Sequence, residues 1–139
     1  MALERTLTII KPDAVSARHV GDIIKMFEAA QFRIVAARLV NLTKREAEGF
    51  YAVHRARSFF ESLTTFMSTG PALAMVLEAE NAIARLRELM GATDPAKAAD
   101  RTIRKLYAES IERNCVHGSD APETARFETG YFFPGVELI

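Results

Sequence analysis

The sequence predicts an α+β protein, a ferredoxin-like split βαβ sandwich whose four-stranded antiparallel sheet is covered by helices on one face. Short β-branched runs alternate with helical periodicities in the order strand, helix, strand, two helices, strand, helix, strand, helix. At 139 residues, 49% of them hydrophobic, the chain is sized for one core. No repeat or low-complexity tract interrupts the pattern, so residues 1–139 are expected to form a single domain.

Arg5 to Ile10 (RTLTII) is β-branched and mostly apolar, and it ends at Lys11-Pro12-Asp13, where proline prevents a central strand from continuing. Val20, Ile23, Ile24, Phe27 and Ala30 recur at steps of three and four, which gives one buried helical face. Phe32 to Leu39 reads as a second strand. Thr43 then offers a capping hydroxyl with Glu46 three residues on, the signature of a capping box, and predicts a short helix through Phe50. Phe59, Phe60, Leu63 and Phe66 fall at helical spacing within Ser58 to Phe66, with Ser58 available as a cap.

Gly70-Pro71 punctuates the chain before a third strand, Ala72 to Leu77. A helix over Asn81 to Met90 stops at Gly91. Ala92 to Arg113 is long, and is expected to protrude as a loop with a helical stretch over Lys97 to Ala108. A short strand through Cys115 and Val116 leads to His117 at its end, and Pro122 to Phe132 closes the chain as a helix.

Eighteen basic residues balance eighteen acidic ones, so no net surplus points to nucleic acid or to an anionic membrane surface, and any anion site is local. The amino terminus shows no apolar signal core and no window approaches the roughly 20 apolar residues of a bilayer span, so a cytoplasmic protein is expected. The single cysteine, Cys115, excludes an internal disulfide and fits a reducing compartment; it is expected to be a buried small hydrophobe, the alternative being a thiol open to oxidation.

Asn114-Cys115-Val116-His117-Gly118-Ser119-Asp120 holds the densest chemistry in the chain. An imidazole at a strand end stands beside a glycine that lets a ligand approach the backbone. Alone, such a turn also suits a histidine that is merely bonded locally. Lys11, Arg87, Thr93 and Arg104 add groups that suit phosphate oxygens, the arginines as planar forks and the lysine as a point charge. For any one arginine, simple surface solvation is the competing account.

Taken together, these motifs resemble the nucleoside diphosphate kinase family over the whole length. The Asn-x-x-His-Gly-Ser-Asp signature stands at Asn114 to Asp120, Ile-Lys-Pro-Asp at Ile10 to Asp13, the Ser-Gly-Pro turn as Thr69-Gly70-Pro71, and the Gly-Ala-Thr-Asn-Pro stretch as Gly91-Ala92-Thr93-Asp94-Pro95. The resemblance implies ping-pong transfer of a γ-phosphate from ATP or another nucleoside triphosphate to a nucleoside diphosphate through a phosphohistidine at His117. It implies that Glu128 orients the histidine with Ser119 as companion. Lys11 and Asn114 would meet the ribose hydroxyls, with Lys11 also facing the transferring group; Arg87, Thr93 and Arg104 would hold phosphates. Tyr51 would support the lysine and histidine region, and His54 would either touch phosphate or sit in solvent. Phe59 would carry the base, with Ile111 opposite, while the other members of its stripe serve packing. Stacking suits every base, which predicts little base preference.

The resemblance further implies Mg²⁺ bound mainly through the nucleotide's phosphates, no protein metal site, and self-association as a homotetramer or homohexamer. The chain departs from the family pattern at Arg57-Ser58-Phe59-Phe60, which lacks the usual proline. It departs again at Asp100-Arg101-Thr102-Ile103-Arg104-Lys105-Leu106, where the family's Pro-Gly before Thr-Ile-Arg is Asp100-Arg101 and the small residue and aspartate that follow are also replaced. Two other readings carry different predictions: a catalytically silent nucleotide-binding or protein-interaction module on the same fold, or a single-stranded nucleic-acid binder, which the balanced charge disfavours.

Overall fold

The computed structural model describes residues 3–138. Four strands form one antiparallel sheet in the order β2-β3-β1-β4, with β1 spanning Leu3–Ile10, β2 Arg33–Val40, β3 Ala72–Glu80 and β4 Val116–Gly118. Each pair of sequence neighbours, β1 with β2 and β3 with β4, is split by a strand running the other way. This is the expected split βαβ sheet. Its spine is the eight-residue register of β1 on β3, from Leu3 opposite Glu80 to Ile10 opposite Leu73. A bulge between Ile34 and Ala36 interrupts the β2 register.

Among the described residues seven α-helices are defined: α1 Pro12–Ser16, α2 Val20–Ala29, α3 Lys44–Phe50, α4 Phe60–Met67, α5 Ala82–Met90, α6 Ile103–Tyr107 and α7 Pro122–Phe132. They cover both faces of the sheet, not one. Ile10, Met75, Leu77 and Ala79 point into a core closed by Ile23 and Phe27 of α2 and Leu86 and Met90 of α5. Leu7, Ile9, Ala74 and Val76 point the other way, onto Phe50 of α3, Phe66 and Met67 of α4 and Phe132 of α7. The cause lies in β3 itself. ALAMVL is apolar at every position, and a strand without alternation must be buried on both sides.

Local signals account for most boundaries. The capping box at Thr43 forms, with the Glu46 N–H donating to Thr43 Oγ1 at 3.0 Å and the Thr43 N–H to Glu46 Oε1 at 2.8 Å. Gly91 ends α5 at φ 88. Ser58 does not cap α4; Phe59 occupies that position, without a side-chain cap. The helix expected over Lys97 to Ala108 breaks into a 3-10 turn at Pro95–Lys97 and the short α6, because Arg101 turns left-handed at φ 69 and Thr102 caps a new helix, accepting from the Lys105 N–H at 3.3 Å. Proline at the first position of α1 makes a helix of what reads in sequence as a turn. No helix among the described residues is long and apolar enough to cross a membrane.

Candidate active site

His117 sits in the middle of β4, opposite Ile9, rather than at the strand's end. Its Nε2 lies 2.8 Å from Glu128 Oε1, and since a carboxylate oxygen accepts, the ring's proton is assigned to Nε2 and its lone pair to Nδ1. Glu128 comes from the buried face of α7 and also accepts from Ser119 Oγ at 2.7 Å, while Ser119 Oγ accepts from the Leu7 N–H at 3.2 Å. A chain of hydrogen bonds therefore runs from the β1 backbone to the imidazole. Phe50 and Tyr51 meet the ring edge-on, with centroids at 5.3 and 6.0 Å, and hold its plane.

In front of His117 opens a cleft of about 350 Å³. Lys11, Tyr51, His54, Phe59, Arg87, Thr93, Arg104, Ile111 and Asn114 all line it, so the structure brings every one of these sequence-predicted residues to one place, with Glu128 and Ser119 behind the histidine. Its charge is concentrated at one end. Lys11 Nζ donates to Asn114 Oδ1 at 2.9 Å, and burial together with the nearby Arg104 guanidinium lowers the lysine's pKa to about 8. Arg87, exposed on α5, donates to Asp120 at 2.7 Å.

Arg104 is buried, and burial followed by the charge of Arg87 lowers its pKa to about 10. Three of its donors go to backbone carbonyls: Gly91 at 2.9 Å, Val116 at 2.8 Å and Asn114 at 3.3 Å. Two of its five N–H groups are left for a ligand. Tyr51 is buried with its hydroxyl unpartnered among the described residues, and burial, then the charge of Glu128, raises its pKa. An unpaired buried donor facing a cleft is a group that a ligand can satisfy.

The other end of the cleft is apolar. Phe59 is 41% and Ile111 60% exposed, which is costly for large apolar groups unless something covers them. Leu63, one turn beyond Phe59, lines the cleft as well as packing against the core, so it is not a packing residue alone. Sequence reasoning missed Glu112, which lines the cleft near enough to Lys11 to favour the lysine's charge and accepts from Ser62 Oγ at 2.6 Å; only its place between Ile111 and Asn114 could have drawn attention to it. Gly118 plays a second part besides bordering the cleft. A Cβ there would meet Met90 Cε at 2.9 Å and Leu86 Cδ2 at 3.2 Å, so the missing side chain lets α5 press against β4. Cys115 is fully buried, and burial followed by the charge of Asp13 pushes its thiol up to about 12, which suits a small hydrophobe and not a reactive thiol.

An imidazole with a fixed tautomer, cations and an aromatic side chain lining one cleft make an arrangement suited to phosphoryl transfer from a nucleotide. Residues 4–138 match the family model described as nucleoside diphosphate kinase. Among curated relatives, nucleoside diphosphate kinase 2 of Protochlamydia amoebophila is 62% identical over 138 residues, covering 99% of this chain and 96% of that one. The nucleoside diphosphate kinase of Nitratidesulfovibrio vulgaris is 58% identical over 137 residues, 99% of each chain. Among solved structures, the Aquifex aeolicus nucleoside diphosphate kinase superposes with a TM-score of 0.97 at 42% identity, covering 99% of this chain and all of the other. That of Halobacterium salinarum, solved in complex with CDP, gives 0.94 at 36% identity, with 99% and 92% covered. Sequence, fold and cleft agree, and the chain belongs to the nucleoside diphosphate kinase family.

Proposed function

We propose that His117 carries the phosphate in a two-step exchange between nucleotides. In the first step the Nδ1 lone pair attacks the γ-phosphorus of a nucleoside triphosphate, a P–N bond forms, and the bond to the β–γ bridging oxygen breaks with its electrons leaving on the diphosphate. Glu128 holds the Nε2 proton throughout and offsets the positive charge that develops on the ring. In the second step a terminal oxygen of another nucleoside diphosphate attacks the same phosphorus and Nδ1 leaves. The hydrogen bond from His117 Nε2 to Glu128 carries this reading, because it leaves the other ring nitrogen as nucleophile.

Lys11 and Asn114, already paired, meet the ribose hydroxyls; Arg87, Thr93 and the two spare donors of Arg104 hold phosphate oxygens; the Tyr51 hydroxyl supports the transferring group, with His54 at its margin. The base lies on Phe59, against Ile111. Support for a nucleotide here comes from the CDP complex of the Halobacterium relative. Among the described residues no cluster of three His, Cys, Asp or Glu side chains could cage a metal, and Asp120 is engaged by Arg87. These residues fit a Mg²⁺ that arrives on the phosphates and supplies positive charge there. Self-association as a tetramer or hexamer belongs to the same reading, and the open edge of β2, with Leu39 exposed, is compatible with it. We place the protein in the cytoplasm, where its nucleotides are.

Incubation of the purified protein with γ-labelled ATP, removal of nucleotide and mapping of acid-labile, base-stable label tests this. Label on His117 that a non-adenine diphosphate discharges is the expected result, and H117Q should fold, bind nucleotide and take no label. Binding without labelling of the unsubstituted protein would leave a silent nucleotide-binding module instead.

A further inference from the structure

Between Asn114 and Val116, Cys115 has φ 74, a region that residues with a Cβ seldom enter. The Val116 N–H donates to Asn114 O at 2.9 Å, so these three residues close a γ-turn of the rare, strained hand. Nothing about a fully buried thiol demands that conformation. Strain of this kind persists only where the surroundings over-determine it.

Here the surroundings do. Arg104 donates to the carbonyls at both ends of the turn, Asn114 at 3.3 Å and Val116 at 2.8 Å. The Lys11 N–H donates to Cys115 O at 2.7 Å. The Cys115 N–H, the one donor that the turn cannot use itself, goes to Asp13 Oδ2 at 3.1 Å. Asp13 Oδ1 is buried without a partner among the described residues, so the carboxylate bears a desolvation cost that its one bond to the turn has to offset. At the start of the turn, Asn114 is aimed at Lys11 Nζ; immediately after its end, His117 faces Glu128.

We infer that Asp13 is a positioning residue for phosphate transfer: by accepting the Cys115 N–H it keeps the strained turn closed and so fixes His117 relative to the Lys11–Asn114 pair. This rests on the exchange reading above, with which it shares His117. Misplacing a nucleophile by about 1 Å can cost a hundredfold in rate, so the effect falls on kcat more than on KM.

The test compares D13A, D13N, D13A/C115G and D13A/C115A. D13A is expected to lose ten- to a hundredfold in kcat and in the single-turnover rate of His117 labelling, with KM changed by less than threefold. D13N keeps an acceptor and is expected within threefold of the unsubstituted protein. Glycine adopts φ 74 without being held, so D13A/C115G should regain at least tenfold over D13A, whereas D13A/C115A should not. A D13A protein within threefold of normal, or no recovery on adding C115G, overturns the inference. Should D13A fail to fold, D13N is compared with D13E, whose longer side chain overshoots the amide and is expected to lose tenfold; equal activity of the two overturns it. If the unsubstituted protein exchanges no phosphate, the exchange reading falls separately, and the turn is read from hydrogen exchange at the Cys115 amide. That exchange should be at least tenfold faster in D13A, and an equal rate overturns the role of Asp13.

Discussion

Replacing Arg101 by glycine should stabilise the protein although it removes a side chain and adds no contact. Arg101 sits at φ 69 on the turn that precedes α6, where the family pattern has glycine, and its side chain is exposed. A left-handed residue with a Cβ costs roughly 1–2 kcal/mol, and glycine gives back about 0.4–1 kcal/mol through the freer unfolded chain. The net expectation for Arg101→Gly is a gain of about 0.5–1 kcal/mol, or roughly 2–3 °C in the melting midpoint of a chain this size. Thermal unfolding at one fixed protein concentration measures it, because any self-association makes the midpoint concentration-dependent. Arg101→Ala is the control: it removes the guanidinium and keeps the strain, so it should not gain. If Arg101→Gly melts at or below the starting protein, the left-handed turn is not a source of strain and the reasoning fails.

Four further outcomes are expected. Glu128→Ala leaves the imidazole without its acceptor and should lower kcat about 10²–10³-fold while nucleotide binding persists; single-turnover labelling reads the loss, and an unchanged rate would mean that the carboxylate does not set the tautomer. Phe59→Ala should weaken binding by about 1–3 kcal/mol, equally for purine and pyrimidine diphosphates, because stacking needs only a π face; a loss confined to one base would contradict the stacking role. Lys11, with its pKa lowered to about 8, loses its charge as pH rises through that value, so kcat/KM should fall on the alkaline side from about pH 8. Its stability contribution runs the opposite way. Between about 8 and its ordinary 10.5 the unfolded chain binds more protons than the folded one, so the folded state gains with rising pH, by on the order of 3 kcal/mol from this group. Comparison of the pH dependence of melting with that of Lys11→Met tests the sign.

Most of the scaffold was legible because its signals are local. The Thr43–Glu46 box, the helical periodicity from Val20, the stop at Gly91 and the run of β3 each need only a few neighbouring residues to be read, and each occurs where expected. The two-sided covering of the sheet was also written in β3, whose unbroken apolar run is incompatible with one solvated face. What escaped depends on backbone sign or on distance. Helix propensity over Lys97 to Ala108 was overridden by a left-handed residue that no side-chain pattern announces, and Cys115 is a second such case. The cleft residues were gathered by the resemblance, since Lys11, Arg87 and Phe59 are far apart in sequence. Glu112 faces them only because the loop folds back towards Ser62. The three-way commitment of Arg104 to carbonyls likewise had no signal, because its partners are backbone atoms.

The cleft draws its walls from both sides of the sheet. Arg87 and Arg104 stand on helices of the layer built around Ile23, Phe27 and Leu86, whereas Tyr51 and Leu63 belong to the layer built around Phe50 and Phe66. Between them runs only β4, three residues long and paired on one side. On the proposed reading, a nucleotide lying there would be held by its phosphates from one layer and by its base from the other, and would span two cores that are otherwise joined through the sheet and a few loop contacts such as Glu112 to Ser62. Substrate would then be a removable strut of the architecture: the molecule proposed to react at His117 would also brace the three-residue margin of the sheet while it is there.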